Sequence, residues 1–297
     1  MKCRMLITGG EMRDYIQLIR PKSWLKNVFV FVPITFALEF TYWSKLLNVL
    51  IAFFAFCFIS SAVYIFNDIF DAKRDAVHPI KRTRPLASGA IKKQSAIILM
   101  LFLLTIGFTL AYISDIYVCI SIAAYLLINI LYTLWLKHIP IFDCFCIASG
   151  FVLRVFTGGV AYGGGLSDWL FLTIIAMSLF MAFGKRRGEL VKTDGSSSRV
   201  VLEQYNVLFL NGIIFTCAGL SMLFYSLWTL DRGSYMIYTV PLIIFIVCKY
   251  LLHICDNESH GDPTTVLFED KILIIACGVY AILTIILLYK GTGIFNG

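Results

Sequence analysis

The residues best suited to chemistry lie where a long apolar stretch of the chain ends. Asn67, Asp71 and Asp75 are spaced by four residues, so on a helix their side chains form one stripe, with Asp68 beside Asp71. Carboxylates this close repel one another, and a divalent cation relieves the repulsion. Mg²⁺ characteristically binds one or two carboxylates together with phosphate oxygens of a substrate. The spacing therefore predicts a metal site at Asn67, Asp68, Asp71 and Asp75; the alternative is an exposed acidic helix end balanced by neighbouring basic residues.

Basic residues follow these carboxylates within a few positions. Lys81 and Arg82 lie between two prolines, which stiffen the loop that carries them. Cationic side chains presented in this way bind phosphate groups. A cation cluster beside an acidic cluster is typical of a diphosphate site, so we predict Asp71, Asp75, Lys81 and Arg82 as catalytic residues, the two cations also binding substrate. Topogenic charge with lipid headgroup contact is the alternative.

A second basic group, with one carboxylate, closes a later apolar stretch. Lys185, Arg186 and Glu189 are placed to share one face of a helix. They are predicted to bind a phosphorylated substrate. The alternative is that basic residues at a helix end suit the helix macrodipole and the topology of the chain.

Two isolated cations are further candidates for substrate binding. Lys26 is the last residue before the first apolar stretch, where an interfacial position is the alternative. Arg154 lies inside an apolar stretch, and a charge at membrane depth normally faces a cavity or a partner. An ion pair with Asp143 on the same helix is disfavoured, because eleven residues at 1.5 Å each separate the two by about 16 Å.

The elements that must position these residues are long and apolar. The 297 residues are 59% hydrophobic and only 14% charged, which predicts an integral membrane protein. A helix needs about 20 residues to cross about 30 Å of hydrocarbon, and the stretches lack the short alternating pattern of a membrane β-barrel. We predict an all-α, polytopic bundle of about nine transmembrane helices. The predicted spans are 27–40, 46–66, 95–113, 116–135, 141–161, 168–184, 206–229, 236–253 and 271–289.

The distribution of Lys and Arg predicts the orientation. These residues concentrate in 2–26, 73–93 and 184–199, which the positive-inside rule places in the cytoplasm. We therefore predict a multi-pass protein of the bacterial inner (plasma) membrane, with a cytoplasmic N-terminus and an active site that faces the cytoplasm. The first ten residues are not followed by a short apolar core and a small-residue cleavage site, so no cleaved signal peptide is expected.

The chain shows no linker of low complexity, and we predict one membrane domain, 1–297, with a cytoplasmic N-terminal segment, 1–26. Three longer cytoplasmic connections are predicted to cap a cavity, because long ordered loops usually carry function. Two of them, 67–94 and 184–205, carry the candidate catalytic residues, and the third is 254–270.

Cysteine usage and net charge exclude several other kinds of site. The nine cysteines lack the spacing of a zinc or disulfide framework and are predicted to be small buried hydrophobic residues. The formal charge of +7 is a topology signal, since no nucleic-acid-binding module accompanies it.

Taken in order, these motifs give the chain a family likeness. It resembles the UbiA-type membrane prenyltransferase superfamily, and within it the branch of polyprenyl-phosphate (decaprenyl-phosphate) phosphoribosyltransferases. The similarity runs from about Tyr15 through the ninth predicted span. The matching stretches are Arg20–Asn27, Asn67–Asp75, His78–Pro85, Leu153–Val160, Gly184–Leu190 and Gly261–Pro263 with Glu269 and Asp270.

The resemblance implies a nine-helix bundle whose cytoplasmic cavity holds a Mg²⁺-bound diphosphate, with a lateral opening for a long isoprenoid. It implies Asn67, Asp71 and Asp75 as the metal-side residues. One departure indicates the branch: ordinary prenyltransferases of this fold carry a second Asp-rich motif after the sixth span, where this chain has Lys185 to Arg187 and Glu189. Basic residues there suit a second phosphorylated substrate better than an aromatic acceptor.

The predicted reaction is Mg²⁺-dependent transfer of 5-phosphoribosyl from phosphoribosyl diphosphate to a polyprenyl phosphate. Lys26, Arg154, Lys185 and Arg186 are predicted to hold the two phosphate ends. The resemblance implies a product that feeds arabinose-containing envelope polymers. The sequence leaves open whether the protein forms a homo-oligomer. The alternatives are a prenyltransferase that moves an isoprenoid to an aromatic acceptor and a lipid transporter or lipid-binding protein. The prenyltransferase alternative requires a second acidic metal site. The transporter alternative predicts discontinuous helices and polar residues near the membrane midplane.

Overall fold

A computed structural model describes residues 9–77, 79, 81–192, 200–232, 235–255 and 270–291. Every regular element in this part of the chain is helical, which confirms the predicted all-α class. The α-helices are α1 (Gly9–Ile19), α2 (Val32–Phe36), α3 (Trp43–Ala76), α4 (Lys93–Ser114), α5 (Ile116–Leu134), α6 (Phe142–Ala161), α7 (Asp168–Lys192), α8 (Val207–Arg232), α9 (Val240–Cys255) and α10 (Lys271–Gly291). The 3-10 helices are Pro21–Phe31, Glu39–Thr41, Lys81–Thr83, Leu136–His138, Val200–Gln204 and Met236–Thr239.

Eight helices in the described residues are long and apolar enough to span a membrane. They are α3 to α8, the segment Met236–Cys255 that contains α9, and Lys271–Lys290 in α10. They coincide with the second to ninth predicted spans. Large apolar side chains such as Phe102, Tyr117 and Leu223 are exposed on them, as expected for helices that face lipid.

The first predicted span, 27–40, differs from the other eight. It is a 3-10 helix, Pro21–Phe31, followed by the short α2, and Pro33 has no backbone N–H with which to continue one helical pattern. In the described residues, eight of the nine predicted spans are thus long α-helices, and the first is composite.

The described residues fall into two compact units. Unit 1 comprises Met1–Val32, Tyr42–Leu134 and Leu153–Gly163. Its core lies among α1, α3 and α4, where Leu18, Ile65 and Leu103 are buried together. Gly107 of α4 lets that helix approach α3, because a Cβ at this position would lie 2.7 Å from Cγ1 of Ile59.

Unit 2 comprises Pro33–Thr41, Trp135–Val152 and Gly164–Gly297. Its core contains α7, α8 and α9, with Phe180, Phe183 and Ile214 among its buried side chains. The single domain predicted from the sequence stays a prediction. Of the predicted cap loops, residues 78, 80, 193–199 and 256–269 lie outside the described residues, as do the matching stretch Gly261–Pro263 and Glu269.

Candidate active site

The acidic residues singled out in the sequence lie near the carboxyl end of α3. This helix continues beyond its apolar part to Ala76, so Asn67, Asp71 and Asp75 share one face as their spacing predicts. We call these three residues the acidic stripe. The side-chain oxygen of Asn67 accepts a hydrogen bond from the hydroxyl of Thr133 on α5. Because the carboxyl end of a helix carries partial negative charge, Asp75 needs a cation beside it.

Two arginines supply that positive charge. Nη2 of Arg20 lies 2.6 Å from Oδ1 and 2.8 Å from Oδ2 of Asp68. Nη1 of Arg84 lies 2.6 Å from Oδ2 of Asp75 and 3.3 Å from Oδ1 of Asp68. We call Arg20, Asp68, Arg84 and Asp75 the arginine bridge. Its carboxylates are 5–6% exposed, whereas the side chains of Arg20 and Arg84 are 27% and 31% exposed.

Arg20 reaches Asp68 because of an unusual backbone conformation. Its φ of 57° lies in the left-handed region, which residues other than glycine seldom adopt. Its N–H donates to the carbonyl of Ile16 at 3.1 Å and closes the end of α1. The guanidinium then passes over the ring of Tyr64, 5.1 Å from the centroid. A strained residue of this kind persists only where its surroundings hold it in place.

Lys81 and Arg82, predicted as catalytic cations, lie in the 3-10 helix Lys81–Thr83 that follows α3. Lys81 is half-buried and Arg82 is exposed. The N–H of Arg84 donates to the carbonyl of Lys81 at 3.0 Å, so the same turn that carries both cations also directs the arginine bridge.

Arg154 is buried in unit 1, in an aromatic pocket. Its guanidinium carbon lies 4.9 Å from the ring centre of Phe56 and 5.0 Å from that of Tyr125. Its Nε donates to Oδ1 of Asn27 at 2.8 Å, and Nη2 lies 3.3 Å from the hydroxyl of Tyr125. Aromatic faces and neutral acceptors stabilise a guanidinium away from water.

Asn27, a residue of the 3-10 helix Pro21–Phe31, connects Arg154 to α3. Its Nδ2 donates to Oγ of Ser60 at 3.2 Å. Three residues further on, the carbonyl oxygen of Val30 lies so close to α6 that a Cβ on Gly158 would overlap with it. Arg154, Ser60 and Gly158 thereby fix the helix that carries Lys26, whose own side chain is exposed.

Unit 2 contains a second polar cluster, whose central pair, Arg186 and Asp143, is almost fully buried. Nε of Arg186 lies 2.5 Å from Oδ2 of Asp143, and these side chains are 1% and 0% exposed. Nη1 of Arg186 lies 2.7 Å from Oε2 of Glu189, and the hydroxyl of Tyr205 donates to Oδ1 of Asp143 at 2.7 Å. We call Asp143, Arg186, Glu189 and Tyr205 the buried network. It joins the start of α6, the end of α7 and the residue after the 3-10 helix Val200–Gln204.

The buried network also holds a strained turn. Ile141 has a φ of 70°, which is a genuine outlier for a β-branched residue. Its N–H donates to the hydroxyl of Tyr205 at 2.6 Å. Burial raises the pKa of the Tyr205 phenol, and the carboxylate of Asp143 raises it further. Tyr205 therefore keeps its proton and can continue to donate to Asp143.

Three consecutive cations on α7 have three different environments. Lys185 is half-buried, and Arg186 belongs to the buried network. Arg187 is buried as well: its Nε donates to Oδ1 of Asn211 at 2.7 Å, and its guanidinium donates to the carbonyls of Ile254 and Cys255 at the end of α9. The substrate-binding role predicted for Arg186 stays a prediction; its contacts indicate a positioning role.

The donor set at the acidic stripe suits a magnesium ion that is also bound by substrate. In the part of the chain that the structure describes, no three His, Cys, Asp or Glu side chains are grouped so as to hold a metal by themselves. Two carboxylates and an amide oxygen, from Asp71, Asp75 and Asn67, leave positions for phosphate oxygens and water, as Mg²⁺ prefers. Asp68 does not belong to this set, because both of its oxygens are engaged by Arg20.

Sequence reasoning missed several residues of these clusters. Arg20 and Arg84 were not predicted as site residues, although both lie within the stretches that carry the family resemblance. Asp143 was considered only as a partner for Arg154, whereas in the structure Arg186 and Tyr205 contact its carboxylate. No local pattern distinguishes Tyr205, because its partner on α6 is 62 residues away in sequence.

The comparisons with known proteins identify the family. The model of the UbiA prenyltransferase family matches residues 28–272. The chain belongs to this family. Among solved structures, a UbiA homolog from Archaeoglobus fulgidus bound to GPP and Mg²⁺ superposes with a TM-score of 0.73 over 93% of this chain and 99% of that one, at 16% identity. A likeness at that identity shows the UbiA fold alone.

Two curated relatives are similar over most of the UbiA-family chain. It is 34% identical over 272 residues to a decaprenyl-phosphate phosphoribosyltransferase from Corynebacterium glutamicum, covering 87% of this chain and 81% of that protein. It is 31% identical over 277 residues to the protein of the same name from Mycolicibacterium smegmatis, covering 87% of each. These relatives confirm the resemblance found in the sequence, including its phosphoribosyltransferase branch.

Proposed function

We propose that this UbiA-family protein transfers a 5-phosphoribosyl group from phosphoribosyl diphosphate to the phosphate of a polyprenyl (decaprenyl) phosphate and releases diphosphate. The observation that carries the proposal is the similarity to relatives named for this reaction, which extends over 87% of the chain at 34% and 31% identity. Residues 185–189 carry no second Asp-rich motif of the kind that the prenyltransferase alternative requires, which favours the same acceptor over an aromatic one.

The leaving diphosphate is proposed to bind at the acidic stripe. Mg²⁺ held by Asp71, Asp75 and Asn67 would neutralise charge that accumulates on the diphosphate as its bond to ribose C1 breaks. Lys81 and Arg82 follow α3 directly and supply fixed donors to the same oxygens. Such donors act most strongly on the charge that develops in the transition state, which raises the rate of transfer.

The acceptor needs no strong general base. A polyprenyl phosphate is already anionic at neutral pH, so its oxygen can attack C1 once it is correctly placed, and positioning is the main requirement. Within the proposal, Lys26, Arg154, Lys185 and Arg186 are the candidates for holding the two phosphate ends. Arg154 and Arg186 are proposed to act through neighbours, since both side chains are at most 5% exposed.

The proposed location is the inner membrane of a bacterium, with the N-terminus and the acidic stripe on the cytoplasmic side. This follows from the basic segments 2–26, 73–93 and 184–199 and the positive-inside rule. Counting the first predicted span, 27–40, as a crossing keeps the first two of these segments on one side of the membrane. Phosphoribosyl diphosphate, a soluble metabolite, would then reach the protein from the cytoplasm.

The experiment is a transfer assay with the full chain in membranes. Mg²⁺, decaprenyl phosphate and phosphoribosyl diphosphate labelled in the ribose are added, and label is measured in the lipid phase. We expect labelled lipid from the wild type and at most about 1% of it from Asp71→Asn, which keeps the shape of the side chain but removes the negative charge of a metal ligand. Lack of label, with product formed instead from a prenyl diphosphate and an aromatic acid, would replace this proposal by the prenyltransferase alternative.

A further inference from the structure

Arg84 is bound to two carboxylates that differ in their surroundings. Its Nη1 lies 2.6 Å from Asp75, a member of the acidic stripe, and 3.3 Å from Asp68, which lies outside the proposed metal-binding set. One guanidinium therefore connects a proposed metal ligand to a carboxylate that is free of that role.

The two carboxylates are unequally supplied with positive charge. Asp68 is held by both oxygens to Arg20, so its charge is compensated whether or not Arg84 is near. The ion-pair partner of Asp75 within the described residues is Arg84. A carboxylate that is only 6% exposed and lies at the negative end of a helix needs such a partner.

A divalent cation on Asp75 would take over the role of Arg84. Two cations that share one carboxylate oxygen repel each other strongly in a partly dry site. Arg84 can yield because its side chain is 31% exposed and lies on a loop, whereas Asp68 is buried in the body of α3. Movement of the guanidinium away from Asp75 leaves it next to Asp68, at the edge of the site where the diphosphate is proposed to lie.

We propose that Arg84 is an exchangeable counter-ion: it neutralises Asp75 until a divalent cation binds, and Asp68 then retains its guanidinium as a donor to the diphosphate. The metal-free protein thereby avoids an uncompensated buried charge. Asp68 acts as a positioning residue that keeps Arg84 at the site. This inference rests on the proposed function only in assuming that the acidic stripe binds metal and diphosphate.

Binding of Mn²⁺, in place of Mg²⁺, tests the exchange without any turnover. The purified full chain in detergent is titrated with Mn²⁺, and the free ion is measured by its electron paramagnetic resonance signal. The variant Arg84→Gln removes the counter-ion, and Lys73→Gln removes an equal charge from an exposed position on α3. Arg84→Gln should bind Mn²⁺ about fivefold more tightly than the wild type, and clearly more tightly than Lys73→Gln.

A second titration measures the other half of the exchange. At saturating Mn²⁺, inorganic diphosphate should bind about tenfold more weakly to Arg84→Gln than to the wild type, because a charged donor has been lost. Arg84→Lys keeps the charge without the planar fork, so it should fall between the two in both titrations. This variant provides a second test if Arg84→Gln does not fold.

The outcomes separate this inference from the proposed function. If Asp71→Asn weakens Mn²⁺ binding as expected but Arg84→Gln binds Mn²⁺ no more tightly than Lys73→Gln, the counter-ion role of Arg84 is overturned and the metal site stands. If Asp71→Asn binds Mn²⁺ as the wild type does, the acidic stripe is not the metal site, and both proposals fall.

Discussion

The arginine bridge of unit 1 and the buried network of unit 2 pair the same chemical groups in opposite environments. In the arginine bridge, Arg20 and Arg84 are 27% and 31% exposed. In the buried network, Arg186 and Asp143 are 1% and 0% exposed. Water reaches the arginines of the first cluster but not Arg186 of the second. Exposure therefore distinguishes arginines that can exchange partners during a reaction from one that is committed to the fold.

The largest effect is expected from breaking the buried network. Arg186→Ala leaves Asp143 without its ion-pair partner, and breaking a buried pair in this way destabilises a protein by about 3–5 kcal/mol. Unfolding of the purified protein in mixed micelles should show this loss of free energy. Lys185→Ala, its half-buried neighbour, is the matched control and should lose less than about 1 kcal/mol. Equal losses for the two variants would mean that burial does not set the difference.

Removal of Arg84 should affect activity more than stability. Arg84→Gln is expected to lower the rate of phosphoribosyl transfer about 10- to 100-fold, because a charged donor to the leaving diphosphate is lost. With saturating Mg²⁺ its free energy of unfolding should change by no more than about 1 kcal/mol, because the proposed metal ion then compensates the charge of Asp75. Transfer assays and unfolding curves on one preparation measure both. A large loss of stability with unchanged transfer would place Arg84 with the structural arginines.

A smaller effect is expected from Tyr205→Phe, which removes one donor to Asp143 and should cost about 1–2 kcal/mol. The contribution of Tyr205 to the free energy of unfolding should also depend on pH. Because the folded-state pKa of Tyr205 is raised, its contribution is fully present below the ordinary pKa of about 10 and is lost as the pH rises through the folded value. Unfolding free energies at pH 8 to 11 should fall more steeply for the wild type than for Tyr205→Phe.

The smallest effect concerns Asp270, a carboxylate of unit 2 at the start of α10. Hydrogen bonds from His253, at 2.5 Å, and from Lys249, at 3.0 Å, with those of two backbone N–H groups, hold the pKa of Asp270 below its usual range. Its contribution is therefore present above the ordinary value of 3.8 and is lost as the pH falls through the folded value. The melting temperatures of the wild type and Asp270→Asn should therefore converge as the pH is lowered below 3.8. A difference that stays constant over this range would contradict the lowered pKa of Asp270.

Prediction from sequence succeeded where the signal is local. Eight long apolar helices and the face shared by Asn67, Asp71 and Asp75 follow from hydropathy and from a spacing of four residues. The first span was predicted as one helix, because hydropathy does not distinguish a 3-10 helix from an α-helix. Its conformation depends on tertiary contacts of Asn27 and Val30 that are distant in sequence.

The environment of each charged residue could not be predicted in the same way. Lys185, Arg186 and Arg187 are equivalent as a sequence motif, and only their partners on other elements separate them. Asp143 lies 43 residues before Arg186, and Ile254 lies 67 residues after Arg187. Asp68 is similar: its position beside Asp71 suggests a metal ligand, whereas Arg20, 48 residues away, engages both of its oxygens.

The most direct test of this account is the rate of phosphoribosyl transfer per folded molecule, measured for Arg84→Gln and Arg186→Gln side by side. The folded fraction of each preparation is taken from its unfolding curve. If exposed arginines serve the reaction and buried ones serve the fold, Arg84→Gln loses transfer by at least about tenfold, while the surviving folded Arg186→Gln stays within a few-fold of the wild type. Full transfer by folded Arg84→Gln, with none by folded Arg186→Gln, would contradict the account.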